Sequence, residues 1–361
     1  MEKMPAIEYK RNFTEVVSRH QALRRARTGS LILTTLPEED AVIAAGPRVP
    51  PLEELDFAAD PLRLARLTCD RAEVLFPFKA GYPDDSIPAV SLRFGSGVVA
   101  GMVTGTLRFG SDTSWIESHG NSLKETLDFP TREENEWIDL VVNSLNYTAR
   151  RMADRCYVMP PGYHSPLEFA SLVRGSGLYL DMYTEPDSVQ ALLARSDEVL
   201  WKLYRKLDER IDYRQTGILA VALWMEKGLP FLSDDSAGLI SPEHYRKFGV
   251  PSTNGMFRRY GGGFLHVHTQ AYHQRDNLSL MDGLTVYNWR QDPNTAPVHE
   301  ILDRILPGAQ DKIVMVVLTP EQVRRNAGLL SQGRFIIQAP CTDKKEQQAL
   351  IEFVRAHLPI A

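Results

Sequence analysis

TVYNWRQDPNTAPVHEILDRILPGAQDKIVMVVLTPEQVRRNAGLLSQGRFIIQAPCTDKKEQQALIEFV, residues 285–354, alternates three short β-type runs with three longer stretches of helical pattern. The runs lie at 285–289, 313–318 and 335–339, and the helical stretches at about 298–306, 320–331 and 344–358. Runs rich in Val, Ile and aromatic residues on both faces suit parallel strands covered on both sides. Repeated βα units of this kind leave two architectures, a closed barrel or an open doubly wound sheet.

Working toward the N-terminus, the alternation continues. Further β-type runs fall at 264–268, 229–232 and 218–223, and helices are predicted at about 242–260 and 186–211. Residues 135–155 read as a long amphipathic helix, and 87–94 and 98–104 as β-type. Pro61 stands at a favourable first-turn position of a helix that is expected to end before Pro77. The first 80 residues are less regular, with a helix candidate at 13–27, a β-rich run at 31–35 and a connector holding Pro47, Pro50 and Pro51. The prediction is an α/β fold, a (β/α)8 TIM barrel over 81–361, with 1–80 as an N-terminal extension packing on it.

Composition restricts the function. The 361 residues are 43% hydrophobic and 24% charged, as in ordinary globular domains, which argues against disorder and coiled coil. Lys and Arg total 41 against 46 Asp and Glu, a net charge of −5, so nucleic acid is not an expected partner and a small molecule is. Cys69, Cys156 and Cys341 are too few and scattered for a disulfide framework, and a cytoplasmic location is expected. No secretory signal is apparent in the first 13 residues, and apolar runs such as 218–225 fall short of the ~20 residues of a membrane helix. A homodimer is left open.

Two motifs carry little. Gly95, Gly97 and Ala100 match G-x-G-x-x-A, but the β-branched, Gly-rich residues after them promise a poor helix for holding pyrophosphate, and a tight strand connection is the simpler reading. His299 and Glu300 open HEILD, where Asp303 replaces the second histidine of a zinc-protease motif, so the pair is expected on a solvated helix face.

In parallel barrels the reactive groups sit where strands end. Four ends are rich in polar residues: Ser233, Asp234 and Asp235; His266 and His268; Asn288, Trp289 and Asp292; Gln338 and Cys341. His266 and His268, two apart on an extended chain, point to the same face. With Cys341 they make three ligands of kinds that Zn²⁺ favours, leaving a fourth position for substrate. A hydrogen-bonded histidine pair and a small apolar cysteine are the simpler alternative. Adjacent Asp234 and Asp235 point to opposite faces, so one of them, Asp235 or with a shifted register Asp234, enters the site as a catalytic carboxylate. Tyr163 and Trp289 are candidate cleft walls, and His164, Tyr272 and Asp292 candidate substrate contacts.

PPGYHSPLEFASLVRGSGLYLDMYTEPDSV (160–189), LPFLSDDSAGLISPEHYRKF (229–248), GFLHVH (263–268), VYNWRQDPNTAP (286–297) and FIIQAPCTDKKEQQALIEFV (335–354) resemble, in this order, segments of the uroporphyrinogen decarboxylase superfamily. The resemblance implies a (β/α)8 barrel whose cleft lies at the C-terminal ends of the strands. It also implies one of two chemistries. Zinc-dependent methyltransferases of that superfamily move methyl groups between a corrinoid, carried by a partner protein, and a thiol, using a His-x-Cys pair and a later Cys. The matching positions are His266, His268 and Cys341, with histidine in place of the middle thiol. The other branch comprises cofactor-free tetrapyrrole decarboxylases, whose Arg-rich N-terminal motif is not matched by Arg24, Arg25 and Arg27. A barrel that only binds a tetrapyrrole or corrinoid is the third reading. The expectation is zinc-assisted methyl transfer.

Overall fold

The computed structural model describes residues 7–228, 230–309 and 311–361. Its strands are β1 (Gly29–Thr35), β2 (Ala89–Val90), β3 (Arg108–Phe109), β4 (Ser114–Trp115), β5 (Tyr157–Val158), β6 (Tyr163–His164), β7 (Ile218–Ala220), β8 (Leu223–Met225), β9 (Phe231–Ser233), β10 (Phe264–His268), β11 (Val286–Arg290), β12 (Ile313–Val317) and β13 (Arg334–Pro340). Seven strands form one sheet in the order β1-β13-β12-β11-β10-β9-β6, and every pairing within it is parallel. β2 and β5 form a separate parallel pair. The α/β class with a parallel sheet is as the alternation predicts. The hydrogen-bonded sheet among the described residues has seven strands with two free ends, where a closed barrel would have eight.

Apolar residues on both strand faces serve two cores. On the outer face Ile32, Leu265, Val267, Trp289, Val316 and Ile337 join the main core shared with the helices. On the inner face Leu31, Phe264, Val286, Ile313 and Ile336 pack around Ala220, Ala222, Leu223 and Met225. Ala220, Leu223 and Met225 come from the antiparallel pair β7–β8 and Ala222 from the turn between them. The run 218–223, expected as one strand of the main sheet, is therefore the first strand and the turn of a hairpin that fills the inner face, ending on the first residue of β8. A turn at Val221, whose φ is 54°, breaks the run.

Gly29–Thr35, assigned by sequence to an extension, pairs along all seven residues with β13. Its other edge would leave the backbone of Ile32 and Thr34 unpaired, which buried amides do not tolerate. Two carboxylates take the place of a neighbouring strand. Asp85 Oδ2 accepts from Ile32 N at 2.9 Å and Asp85 N donates to Ile32 O at 2.8 Å. Asp84 Oδ2 accepts from Thr34 N at 2.7 Å, while Asp84 Oδ1 accepts from Lys10 Nζ at 2.9 Å and Ser86 Oγ at 2.7 Å. Lys10 and Asp84 are both buried. His20 completes the seam: its Nε2 lies 2.8 Å from Asp85 O and its Nδ1 accepts from Trp224 N at 3.0 Å, tying the helix Phe13–Arg25 to the hairpin.

Two local expectations change. Val98–Thr104 is a helix of seven buried residues, not a β-type run. A buried helix pairs its own backbone, whereas a strand there would need a partner, and that outweighs β propensity. The glycines before it pack rather than bind: a Cβ on Gly97 would lie 2.5 Å from Trp115 Cα and one on Gly95 2.1 Å from Ser114 N, and Gly97 N already donates to Ser114 O at 2.9 Å. The helix Arg63–Lys79 runs through Pro77. Pro77 falls in the last turn, where its ring removes a single hydrogen bond, to the Glu73 carbonyl. Among the described residues no helix is long and apolar enough to cross a membrane.

Removing the Asp84 carboxylate leaves a buried ammonium unpaired. Asp84→Ala is expected to lower stability by about 3–5 kcal/mol in urea titrations, with part recovered by adding Lys10→Met. Burial alone would raise the Asp84 carboxyl, but Lys10 beside it and hydrogen bonds from Lys10, Ser86 and Thr34 hold it below the usual aspartate value. Its contribution is therefore kept above that value and lost only in acid. Burial holds His20 below the usual histidine value, so as pH falls through about 6.5 the unfolded chain gains a proton that the native chain refuses. Stability is expected to drop between about pH 7.5 and 5.5, and to drop less in His20→Gln.

A candidate metal centre at the strand ends

The pleat of β10 sends Leu265 and Val267 into the main core, and His266 and His268 to the opposite face with Phe264. The two imidazoles meet edge to face, Nε2 to Nε2, at 3.0 Å. Each has an oxygen on its other nitrogen. His266 Nδ1 lies 2.6 Å from Asn288 Oδ1, directly across on β11, and His268 Nδ1 lies 2.7 Å from Asp292 Oδ1 just beyond that strand. Asp292 is held in turn by Gln270 N, which donates to its Oδ2 at 2.9 Å, and by Thr269 Oγ1, which accepts from Asp292 N at 2.9 Å.

β9 supplies the third group. The chain passes from Ser233 into a short 3-10 turn, Asp235–Leu239, and Asp234 N donates to His266 O at 3.2 Å, keeping the two strand ends in register. Asp234 is fully buried, its Oδ2 accepting from Tyr245 Oη at 2.8 Å. Burial, and then Glu168 nearby, push its carboxyl up to about 7. Asp235 emerges on the site side, with Oδ1 3.7 Å from His268 Nε2 and its side chain 53% exposed. Ligand atoms of Asp235, His266 and His268 all lie within 4.8 Å of one another.

An acceptor oxygen on each Nδ1 makes that nitrogen the N–H, so both Nε2 lone pairs face each other. Two lone pairs at 3.0 Å repel unless a cation lies between them or one ring takes a proton. Burial disfavours the proton: it holds His266 below the usual histidine value. A metal ion suits the spacing. Two nitrogens at ~2.0–2.1 Å from a tetrahedral zinc stand about 3.3 Å apart, close to the observed distance. Two imidazoles and a carboxylate are a donor set that catalytic zinc uses, with one position left open. Tied by neighbours on a second strand and its loop, the rings are held in that orientation without an ion.

Cys341 is not brought to this group. Its thiol contacts Ala339 O at 3.7 Å and it belongs to the outer core, where burial pushes the thiol up to about 11. The reason is the pleat: Gln338 shares a row with Leu33 and Val317 of the inner face, so Cys341, three residues on, falls to the other side. Tyr163 and Trp289 do not stand beside these ligands, and Tyr163 lines a separate cavity with Trp201 and Tyr260. Both are buried in the outer core, Tyr163 stacked on Tyr204 at 3.8 Å. His164 shares the row of Ser233 and His266, but its Nε2 lies 2.6 Å from Ser96 O. Tyr272 lies beneath the Arg275 guanidinium, 4.9 Å from its ring centre. Of the residues singled out by sequence, the structure gathers Asp235, His266, His268 and Asp292. Asn288, seen in the sequence only as a strand-end polar residue, is the missed partner, and its place opposite His266 on the next strand is the signal.

Metal analysis is expected to find about one zinc per chain, lost in His266→Ala and His268→Ala and retained in Cys341→Ser. Asn288→Leu and Asp292→Asn are expected to weaken zinc affinity about 10–100-fold without unfolding the chain, as read in competition with a chromogenic chelator.

No family model matches the sequence, and no curated protein matches it. Among solved structures, a methyltransferase from Methanosarcina mazei shares the fold, with a TM-score of 0.56 over 94% of this chain and 98% of that chain. At 13% identity the likeness is one of fold.

Proposed function

We propose that this chain is a zinc-dependent methyltransferase on a closed (β/α)8 barrel, moving a methyl group from a corrinoid on a partner protein to a small thiol. The observation that carries the reading is the 3.0 Å approach of the two Nε2 atoms beside the Asp235 carboxylate. The fold shared with a methyltransferase and the order of the sequence segments support the reaction class. Barrel closure is supported by counting: β1, β2, β5 with β6 as one interrupted strand, and β9 to β13 make eight. The Asp84–Asp85 seam stands where β1 would meet β2.

Zinc, when bound, supplies Lewis acidity that holds a substrate thiol as its thiolate near neutral pH. The chain's residues prepare that site. Asn288 and Asp292 fix the two imidazole tautomers, and Asp235 offers an anionic oxygen from the exposed side. With Asp235 as the only anionic ligand, the residues present would leave a zinc ion strongly Lewis-acidic, which would ease deprotonation of a thiol. As the new sulfur–carbon bond forms, the methyl–cobalt bond breaks with its electron pair left on cobalt, and the thiol proton passes to solvent.

Anaerobic incubation with methylcobalamin and a panel of small thiols is expected to give a methyl thioether by mass spectrometry, with matching loss of methyl–cobalt absorbance. Chelation should abolish turnover and added Zn²⁺ restore it, and Asp235→Asn should lower it about tenfold or more. Turnover indifferent to metal would overturn the proposal.

A further inference from the structure

The cavity that Tyr163 lines lies at the other ends of the strands from the metal centre. Pro160 comes before β6 and Pro230 before β9, and both line it, whereas His268 closes β10. Its volume of about 390 Å³ falls in the ~300–1,000 Å³ range of small-molecule sites. Reactive groups of parallel α/β folds gather at the C-terminal strand ends, so a molecule at this end is held and not transformed.

Four aromatic side chains, Tyr163, Trp201, Tyr213 and Tyr260, form its walls. Trp201 is fixed in place, with Tyr260 edge-on at 5.2 Å and the Arg259 guanidinium, bound to Asp197 at 2.5 Å, lying 5.4 Å from its ring centre. The polar groups among these rings are incomplete. Asp208 makes no ion pair among the described residues, and the hydrogen bond to its side chain comes from Tyr260 Oη, which donates to Oδ2 at 3.1 Å. Tyr213 makes no side-chain hydrogen bond among the described residues, and the hydroxyl of Tyr163, a residue 3% exposed, is buried without a partner. These groups are neighbours. Burial, then Tyr213, Asp208 and Tyr260, raise the Tyr163 phenol well above its usual value, and burial followed by Asp208 raises Tyr213. Both therefore stay O–H donors through the neutral range.

Three phenols and one carboxylate thus share a single hydrogen bond. What completes them must accept from Tyr163 and Tyr213 and donate to the free oxygen of Asp208. A hydroxyl does both, whereas an ammonium only donates and a carboxylate only accepts. Charge points the same way: Lys227 and Arg259 line the cavity and would repel an organic cation, and Asp208 would repel an anion. The electron-rich faces of the rings favour C–H groups. We infer that this cavity binds a neutral sugar of monosaccharide size, its hydroxyls on Asp208, Tyr163 and Tyr213 and its C–H groups against the aromatic walls.

Titrations followed by ligand-observed NMR, using the methyl pyranosides of glucose, galactose and mannose with choline and p-cresol for comparison, test it. At least one pyranoside should bind saturably and more tightly than choline or p-cresol. Tyr213→Phe, which removes one hydroxyl, should weaken it about 2–10-fold, and Asp208→Leu about tenfold or more. Should Asp208→Leu fail to fold, Tyr213→Phe decides. Saturable binding by none of the pyranosides, unchanged affinity in the folded variants, or choline or p-cresol tighter than every pyranoside would overturn it. The cavity shares no residue with the metal centre, so neither result bears on zinc or on methyl transfer.

Discussion

The free edge of β1 is the constraint on which the fold depends. A parallel strand with a partner on one side must dispose of the backbone groups on the other, and here Asp84 and Asp85 do so with their carboxylates. Each carboxylate then carries a charge into the interior, and the remedy for that charge recruits distant elements. Lys10 comes from the N-terminal segment, Arg19 from the first helix and Arg355 from the last, with Asp85 held by Arg19 at 2.7 Å, while His20 meets the Asp85 main-chain oxygen. Through His20 the same seam reaches Trp224 on the hairpin. One unmet requirement of a strand edge thus fixes both chain ends and the insert that fills the inner face.

That insert decides where chemistry can occur. The inner-face residues Leu31, Phe264, Val286, Ile313, Met315 and Ile336 pack against the hairpin. Ile336 and Met315 lie in one register row with Asn288 and His266, so the change from apolar to polar runs along that row, from β13 and β12 to β11 and β10. A polar group beneath the hairpin would be buried without water. The division between apolar and polar residues on the inner face is therefore set by how far the hairpin reaches.

Much of this was legible in the sequence, for a definable reason. From residue 264 onward each strand is covered on both sides, so composition and placement coincide, and the histidine pair follows from the two-residue pleat. Legibility fails where tertiary context outweighs local pattern. Val98–Thr104 has strand composition but lies where a self-paired helix satisfies the backbone. Residues 218–223 have the composition of a buried strand because they are buried, but inside a hairpin. Cys341 looked like a ligand because it closes a β-type run, yet counting the pleat from Gln338 places it outside. Asp84 and Asp85 offered no periodic signal, since their role is to satisfy the backbone of a strand edge rather than to pack in a core.

The adjacent Asp234 and Asp235 show how one dipeptide can serve both layers. Since neighbours on extended chain face opposite ways, burying one exposes the other. Asp234, gripped by Tyr245 behind the sheet and by the β10 backbone through its own amide, leaves the next residue little freedom in where it emerges. Asp235 needs that control, because an exposed carboxylate on a free loop would lose side-chain entropy on joining an ion. With a carboxyl pushed up to about 7, Asp234 can be held without a full buried charge opposing the one beside it. The buried residue positions and the exposed one binds, and interchanging their environments would lose both roles.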